Sequence, residues 1–373
     1  MSGKRFAFLL PNMGGGGAER VALRLIADSL AAGHEVDLVL KQAKGELLPL
    51  VPAGVRVVDL GAERIRSVVA PFRAYLRERQ PDAVHIMMWP LTIAGIVACR
   101  LAGSRARIVT ADHTTLGRQY GSSRRSLAAL SLTTRYFYPM ADEVLCVSRE
   151  SADDLARISR LDRAKIKVVY NPVAAPPEPI AVPGSIEALW GEGVTRILSV
   201  GSLTSVKNHA MLIRAFARLA RRRPAKLIIV GEGPMRDELE QVAVAEGVAH
   251  QVSMPGFTLD PWPYYASADL FVLSSDYEGF PLVLIEAMRC GLNIVSTDCP
   301  SGPREILGGG EFGALTAVGQ EAALAEAIEV VLDNRLEPDV LIARAEALSG
   351  QKQSDRFIEL MLGVGDVAVA ASR

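Results

Sequence analysis

One junction recurs along this chain: a short apolar strand, a turn that contains glycine, and the start of a helix. In the second half, residues 196–200 run into Gly201 and residues 226–230 run into Gly231. Short apolar runs bounded by turns are typical of strands that are buried on both faces of a parallel sheet. The pattern therefore predicts an α/β fold built from doubly wound parallel sheets.

The alternation appears twice, and a proline-rich stretch separates the two series. Prolines stand at positions 172, 176, 177, 179 and 183, a spacing that predicts irregular structure. We therefore expect two Rossmann-like doubly wound domains that face each other across a cleft, with a linker between them. The predicted ranges are 1–172 for the first domain, 173–194 for the linker, 195–350 for the second domain and 351–373 for a carboxyl-terminal helix and tail. The predicted strands are 5–10, 34–40, 83–86, 107–110 and 143–147 in the first domain, and 196–200, 226–230, 270–273 and 293–297 in the second.

Length and cysteine usage narrow the class of protein. The 373 residues are 49% hydrophobic, which is enough for two packed cores. The four cysteines lack the paired spacing of a metal site and lie in or beside apolar segments, so we expect reduced core thiols and a cytoplasmic protein. The apolar run that ends at Leu10 is too short for a secretory signal or a membrane span, and no other stretch is long enough to cross a bilayer.

The net charge of −1 conceals an asymmetry between the two halves. Residues 1–170 carry 25 Lys and Arg against 16 Asp and Glu, whereas residues 171–373 carry 16 against 26. The basic half is expected to meet an anionic partner, such as a phospholipid surface or a lipid pyrophosphate. Nucleic acid is disfavoured as a partner because aromatic residues make up 6% of the chain and no recognition motif appears.

Two basic amphipathic stretches in the first half are candidates for contact with an acceptor or an anionic membrane. The first covers residues 63–79, and the second begins at Arg118. An alternative stays open, in which each stretch is a helix that packs its apolar side on the sheet. The candidate basic residues are Arg64, Arg66, Arg73, Arg77, Arg124 and Arg125.

Two glutamates, Glu278 and Glu286, bracket a segment that is predicted to turn from a loop into a helix. If they lie about two helical turns apart on one face, one carboxylate can accept hydrogen bonds from a sugar and the other from a ribose. Gly279 and Pro281 mark the helix start, where backbone N–H groups favour anions. A solvated helix face is the alternative interpretation of this spacing.

Lys207 follows the glycine turn after residues 196–200, where a phosphate cradle is expected. A departing nucleoside diphosphate needs a fixed positive charge. The chain contains no Asp-x-Asp pair, and its five histidines are far apart in sequence. We therefore expect Lys207, helped by backbone N–H groups, to supply that charge without a metal. The alternative is an ordinary surface lysine.

With these motifs in order, the chain resembles the family 4 retaining glycosyltransferases over nearly its whole length. That family has the GT-B fold, and in it the tail of the chain crosses back to complete the first domain. The matching segments are Gly14 to Arg20, His113, Val147-Ser148, Tyr170-Asn171-Pro172, Lys207-Asn208, Gly231 to Pro234, Glu278 to Glu286 and Gly302 to Leu307.

The resemblance implies roles for individual residues. Glu286 is expected to bind the donor ribose and Glu278 the transferred sugar, while His113 contacts that sugar or assists the reacting centre. Most members carry Arg where this chain has Ser202, so either Arg304 or Arg20 compensates or backbone N–H groups hold the phosphates. The remaining donor-binding candidates are Gly16, Gly17, Gly231, Gly279, Phe280, Leu282 and Pro281, the last of which stands where many relatives have glycine.

The resemblance also implies an activity. We expect transfer of a hexose or N-acetylhexosamine, with retention by front-face attack, from a nucleotide-diphosphate sugar to a lipid-linked or cell-envelope glycan. UDP-sugars are favoured over GDP-sugars, no cofactor or metal is expected, and the enzyme is placed peripherally on the inner face of the cell membrane. Two alternatives stay open: a non-catalytic subunit that binds a nucleotide sugar, suggested by Ser202, and a sugar-nucleotide 2-epimerase.

Overall fold

The computed structural model describes residues 3–121 and 123–364, and the chain divides into two compact units. The first unit comprises the residues up to Pro172 together with those from Gln351 onward. The second comprises Val173–Gly350. The predicted tail at 351–373 is described as far as residue 364, and its residues 365–373 lie outside the described residues.

In the described part of the first unit, seven parallel strands form one sheet in the order β3-β2-β1-β4-β5-β6-β7. The order reverses between β1 and β4, and ligands of open parallel sheets bind at the carboxyl ends of the strands beside such a reversal. The strands are β1 Arg5–Leu10, β2 Glu35–Leu40, β3 Arg56–Asp59, β4 Ala83–Met87, β5 Arg107–Asp112, β6 Glu143–Cys146 and β7 Ile166–Val168. The helices of this unit before residue 172 are α1 Gly17–Ala31, α2 Val69–Arg79, α3 Leu91–Ala102, α4 Leu116–Tyr120, α5 Arg124–Phe137 and α6 Arg149–Ser159.

The second unit repeats the plan. Its described residues form a parallel sheet of six strands in the order β10-β9-β8-β11-β12-β13, with the reversal between β8 and β11. The strands are β8 Thr195–Val200, β9 Ala225–Val230, β10 Val252–Gly256, β11 Leu270–Leu273, β12 Ile294–Thr297 and β13 Ala314–Thr316. The helices are α7 Gly184–Trp190, α8 His209–Ala220, α9 Arg236–Ala245, α10 Trp262–Ser267, α11 Leu282–Arg289, α12 Pro303–Ile306, α13 Glu321–Asp333 and α14 Pro338–Ser349.

The final helix, α15 Gln351–Leu362, belongs to the first unit. Successive residues of β1 point to opposite faces of the sheet. Leu9 joins a core cluster that includes Phe72 of α2. Phe8 packs against Phe357 of α15, with ring centroids 5.8 Å apart. Helices therefore cover the first sheet on both faces, which is why its central strands are apolar along most of their length.

The proline-rich segment differs from the predicted linker in one respect. Residues 173–183 contain no helix or strand, but Gly184–Trp190 forms α7. Ile186 and Trp190 of this helix are buried, and the indole N–H of Trp190 donates to Ser267 at 2.9 Å. The carboxyl-terminal half of the segment therefore packs into the second unit, because it begins after the last proline of the cluster and carries two large apolar side chains.

Candidate active site

The loops at the carboxyl edge of the second sheet bring two predicted site residues into direct contact. Lys207 lies in the loop between β8 and α8, and Glu278 lies in the loop between β11 and α11. The ammonium Nζ of Lys207 donates to Oε1 of Glu278 at 2.6 Å. The two side chains retain 21% and 12% of their exposure, so the pair is accessible from solvent although it is largely enclosed.

Three further hydrogen bonds tie these two loops together. Ser274 donates through Oγ to the carbonyl oxygen of Lys207 at 2.8 Å. Asp276 donates its N–H to the carbonyl of Val206 at 2.8 Å and accepts from Nδ2 of Asn208 at 2.9 Å. Because both loops are held at several points, the ion pair sits on a rigid frame. This is the condition for electrostatic stabilisation without reorganisation.

Ser275 is a site residue that the sequence reasoning missed. Its hydroxyl donates to the same Oε1 of Glu278 at 2.6 Å, and its own carbonyl accepts from Thr297 Oγ1 at 2.6 Å. Glu278 is therefore oriented by Ser275 as well as by Lys207. The run Ser274-Ser275-Asp276 directly follows the buried strand β11, and such a polar cluster at a strand end was an available signal.

Glu286 lies in the second turn of α11 and is 8% exposed. Its Oε2 accepts from the hydroxyl of Tyr265 at 2.7 Å. The expectation that Glu278 and Glu286 share one helical face is wrong, because α11 begins only at Leu282, after Pro281 in an extended conformation. Glu278 is therefore a loop residue, and only Glu286 projects from the helix.

The segment between these two glutamates is fixed by a hydrogen bond and by burial. Gly279 accepts at its carbonyl from the hydroxyl of Ser301 at 2.8 Å. Phe280, Pro281 and Leu282 are all buried. The backbone of the predicted sugar pocket is therefore held in place at the amino-terminal end of α11, where the helix dipole favours negative charge.

The two glycine loops of this sheet are in backbone contact. A Cβ atom at Gly231 would lie 1.9 Å from the carbonyl oxygen of Gly201, and one at Gly233 would lie 2.4 Å from that of Leu203. Only glycine fits at these two positions. The next helix, α9, begins at Arg236, two residues after Pro234.

Ser202 is exposed at the beginning of the Lys207 loop. Arg304, one of the two residues suggested to compensate for the missing arginine, forms an ion pair with Asp298. The guanidinium of Arg304 therefore already has a carboxylate partner within the second unit.

In the first unit, Gly16 and Gly17 lie where the loop after β1 enters α1. Gly16 is the residue that precedes the helix and Gly17 is its first residue. A Cβ atom at Gly16 would lie 2.6 Å from Oε2 of Glu19, so the glutamate side chain folds back over the helix start. Burial raises the pKa of Glu19 above its usual value.

His113 follows β5 directly, at the carboxyl edge of the first sheet. Both of its ring nitrogens are buried. Burial lowers the pKa of His113 to about 4, and a hydrogen bond with the side chain of Asn171 opposes this shift. The ring is therefore neutral at physiological pH, with one nitrogen that can donate a hydrogen bond and one that can accept.

The six candidate arginines of the first unit fall into two environments. Arg64, Arg66 and Arg77 are exposed, and Arg73 is half-buried, but the apolar residues of α2 beside them are buried in the core. Arg124 and Arg125 begin α5, which also presents Leu132 and Tyr136 at 60% and 61% exposure. Only the second stretch shows exposed apolar side chains beside its arginines, so the packed-helix alternative describes α2.

Within residues 3–121 and 123–364, no helix has the length and apolar content needed to cross a bilayer. The same residues contain no group of three or more His, Cys, Asp or Glu side chains placed to hold a metal ion.

Comparison with known proteins gives the family. Residues 15–175 match the model of Glycosyltransferase Family 4, and residues 187–348 match that of Glycosyl transferases group 1. Among curated relatives, the chain is 29% identical to N-acetylgalactosamine-N,N'-diacetylbacillosaminyl-diphospho-undecaprenol 4-alpha-N-acetylgalactosaminyltransferase of Campylobacter jejuni. That match covers 89% of this chain and 91% of the relative.

Solved structures agree on the fold. The chain is similar to Anabaena Alr3699/HepE in complex with UDP, with a TM-score of 0.76 and 22% identity over 96% of this chain and 100% of that one. It is similar to the lipopolysaccharide outer core galactosyltransferase WaaB, with a TM-score of 0.73 and 21% identity over 96% and 99%. The two parallel-sheet units confirm the predicted GT-B fold class, and the chain belongs to the family 4 glycosyltransferases.

Proposed function

We propose that this chain is a retaining glycosyltransferase that moves a hexose or an N-acetylhexosamine from a nucleotide-diphosphate sugar to a lipid-linked or cell-envelope glycan. The observation that carries the proposal is the contact between Lys207 and Glu278 at the carboxyl edge of the second sheet. It places a cation suited to a diphosphate directly beside a carboxylate suited to sugar hydroxyls.

When the donor binds, Lys207 exchanges its carboxylate partner for oxygens of the diphosphate. Glu278, still held by Ser275, then accepts hydrogen bonds from the transferred sugar. Glu286 accepts from the hydroxyls of the ribose and is oriented by Tyr265. The backbone of Gly231 and of the segment Gly279–Leu282 lies close to the donor.

Transfer proceeds with retention. The bond between the anomeric carbon and the leaving phosphate breaks, and the acceptor oxygen bonds to that carbon on the same face. The leaving phosphate takes the acceptor proton, so no side chain acts as the general base. Lys207 and the helix dipole of α11 neutralise the charge that develops on the diphosphate, and we propose that no metal ion is needed.

UDP is the favoured nucleotide and GDP the second. One of the similar solved structures is a complex with UDP, which supports this order. The relative from Campylobacter jejuni is named for a diphospho-undecaprenol acceptor, which supports a lipid-linked glycan as the acceptor here.

Such an acceptor lies in a membrane, and we propose that the chain binds the anionic inner face of the cell membrane from the cytoplasm. No Asp or Glu occurs between Asp112 and Asp142, and that stretch carries four arginines, among them Arg124 and Arg125. Arg64, Arg66, Arg73 and Arg77 add positive charge to the same unit. The exposed side chains of Leu132 and Tyr136 supply the apolar contact.

The test is nucleotide release from a panel of UDP-, GDP-, ADP- and dTDP-sugars, with and without EDTA, in the presence of a total membrane lipid extract. The proposal predicts release from one donor, raised by the extract and insensitive to EDTA. Tight donor binding with no turnover on any cell-envelope acceptor would instead favour a non-catalytic subunit, as Ser202 suggests. A free epimerised sugar nucleotide in the absence of acceptor would identify a 2-epimerase.

A further inference from the structure

The loop between β12 and α12, residues 298–302, lies against the segment that carries Glu278. The backbone N–H of Glu278 donates to the carbonyl of Pro300 at 2.6 Å, and its carbonyl accepts from the N–H of Ser301 at 3.3 Å. The hydroxyl of Ser301, which is fully buried, donates to the carbonyl of Gly279 at 2.8 Å. Glu278 is therefore bound to this loop through both of its backbone hydrogen-bonding groups.

The side chain of Glu278 is connected to β12 by a second route. Thr297 is the last residue of β12, and its hydroxyl donates to the carbonyl of Ser275 at 2.6 Å. The hydroxyl of Ser275 donates in turn to Oε1 of Glu278 at 2.6 Å. Thr297 and Ser275 are both fully buried. Loss of the Thr297 hydroxyl would leave the buried carbonyl of Ser275 without this donor, and the residue that orients the carboxylate would be less firmly held.

A neighbouring threonine shows what the same side chain does without such an acceptor. The register of β12 and β13 pairs Thr297 with Thr316. Oγ1 of Thr316 is buried, and it has no hydrogen-bond partner among residues 3–121 and 123–364. Valine has the same branched shape as threonine, so it can fill either position as far as packing is concerned. What distinguishes Thr297 is therefore the bond that its hydroxyl makes to Ser275.

We propose that Thr297 is a positioning residue for sugar transfer, which acts through Ser275 to hold the carboxylate of Glu278 against the transferred sugar. A displacement of about 1 Å in a reaction site can lower the rate about 100-fold. The inference rests on the proposed function, which assigns Glu278 to the sugar and Glu286 to the ribose. Loss of the Thr297 hydroxyl should therefore impair turnover and spare the binding of the nucleotide.

The experiment compares three variants of the full chain with the wild type. Thr297→Val removes the hydroxyl and keeps the shape, Thr297→Ser keeps the hydroxyl, and Thr316→Val makes the first change at the paired position of β13. The measurements are nucleotide release at saturating donor and inhibition by the nucleoside diphosphate of that donor. We expect kcat to fall about tenfold in Thr297→Val, with an inhibition constant within about twofold of the wild type. Thr297→Ser and Thr316→Val should keep a kcat close to that of the wild type.

Ser275→Ala tests the route by which Thr297 acts. If the two hydroxyls form one chain, the double variant Thr297→Val with Ser275→Ala should be no slower than the slower of the two single variants. Independent roles would multiply the two losses, and that result would overturn the route through Ser275. A thermal melt of each variant checks that it is folded.

Three results would overturn the positioning role: a wild-type kcat in folded Thr297→Val, a loss in Thr297→Ser as large as in Thr297→Val, or a tenfold loss of nucleoside diphosphate binding in Thr297→Val. A crystal structure of Thr297→Val separates these results from a failure of the proposed function. If the wild type releases no nucleotide from any donor, the proposed function fails and the crystal structure decides the positioning role. A displaced Glu278 carboxylate would then support it, and an unmoved one would overturn it.

Discussion

Nζ of Lys207 lies 2.6 Å from Oε1 of Glu278, so the cation proposed for the diphosphate and the carboxylate proposed for the sugar form one ion pair. Each group keeps the other from being buried without a partner. Under the proposed function, donor binding would replace the Lys207–Glu278 ion pair by a pairing of Lys207 with the diphosphate.

Replacing Lys207 by Ala should lower turnover by about 100- to 1000-fold, because it removes the fixed cation beside the leaving diphosphate. The matched control is Lys226→Ala. Lys226 is in β9 of the same unit, and its ammonium donates to the carbonyl of His250, away from the loops described above. The measurement is nucleotide release at saturating donor. Wild-type turnover in a folded Lys207→Ala protein would remove the central role given to this residue.

Tyr265→Phe tests the orientation of Glu286. Loss of the 2.7 Å hydrogen bond to Oε2 leaves a buried carboxylate less well satisfied. We expect the free energy of unfolding to fall by about 2 kcal/mol and the donor KM to rise about fivefold, with a smaller change in kcat.

Tyr264→Phe, at the adjacent half-buried residue, is the control for removal of a hydroxyl. It should change neither the free energy of unfolding nor the donor KM. Calorimetry of donor binding and urea denaturation give the two readouts. An unchanged donor affinity in Tyr265→Phe would mean that Glu286 does not meet the ribose.

The exposed face of α5 should carry the membrane contact. Replacing Leu132 and Tyr136 together by Ser is expected to reduce binding to vesicles rich in anionic phospholipid by about tenfold, because two apolar side chains no longer enter the interface. Val244→Ser, at an apolar residue of the second unit that is 67% exposed, is the control. Co-sedimentation with vesicles measures the effect.

Two further pairs of substitutions test how much of the binding to vesicles is electrostatic. Arg124→Ser with Arg125→Ser should weaken binding by about 1 kcal/mol per charge, and added salt should mimic the change. The same pair of changes at Arg64 and Arg66 tests the other basic stretch, and a larger loss there would relocate the contact to α2. Equal binding to neutral and anionic vesicles would contradict an electrostatic contact.

Acidification should destabilise the first unit partly through His85. Burial, and then the charge of nearby His113, lower the pKa of His85 to about 3 in the folded chain. The unfolded chain therefore binds more protons between the ordinary value near 6.5 and that pKa, and stability falls as the pH decreases through this window. Between pH 7 and pH 5, His85 should lower the free energy of unfolding by about 2 kcal/mol.

His85→Phe removes this contribution and keeps an aromatic ring against Phe8 and Phe357. Urea denaturation at pH 7 and pH 5 should show a smaller loss of stability in the variant than in the wild type. Asp112, whose pKa is raised to about 6 by burial, acts in the opposite direction in both proteins and cancels in the comparison. An identical pH dependence of the two proteins would show that His85 is not buried in its neutral form.

The central strands could be read from the sequence because burial on both faces makes them continuous apolar runs. Arg5–Leu10 and Leu270–Leu273 have the predicted bounds. The strands Arg56–Asp59, Ile166–Val168, Val252–Gly256 and Ala314–Thr316 were not predicted. They are the edge strands of the two sheets and are partly exposed, so they lack a long apolar run.

Among the candidate site residues, too, some could be predicted from the sequence and others could not. Lys207 and Glu278 stand in turns that punctuate the strand pattern, so sequence reasoning selected both, although it did not predict their direct contact. Tyr265 escaped notice because an aromatic residue in a short helix resembles core packing in a single sequence. Its hydrogen bond to Glu286 depends on a partner 21 residues away.

The most direct test of the proposed activity is mass spectrometry of the lipid extract, with NMR of the anomeric proton of the product, after incubation with the intact chain and the preferred donor. We expect a glycolipid heavier by one hexose or N-acetylhexosamine, with an equal amount of nucleoside diphosphate released and the anomeric configuration of the donor retained. An inverted linkage would contradict the retaining mechanism. Consumption of the donor with no glycosylated product, or an epimerised sugar nucleotide, would contradict the assignment as a transferase.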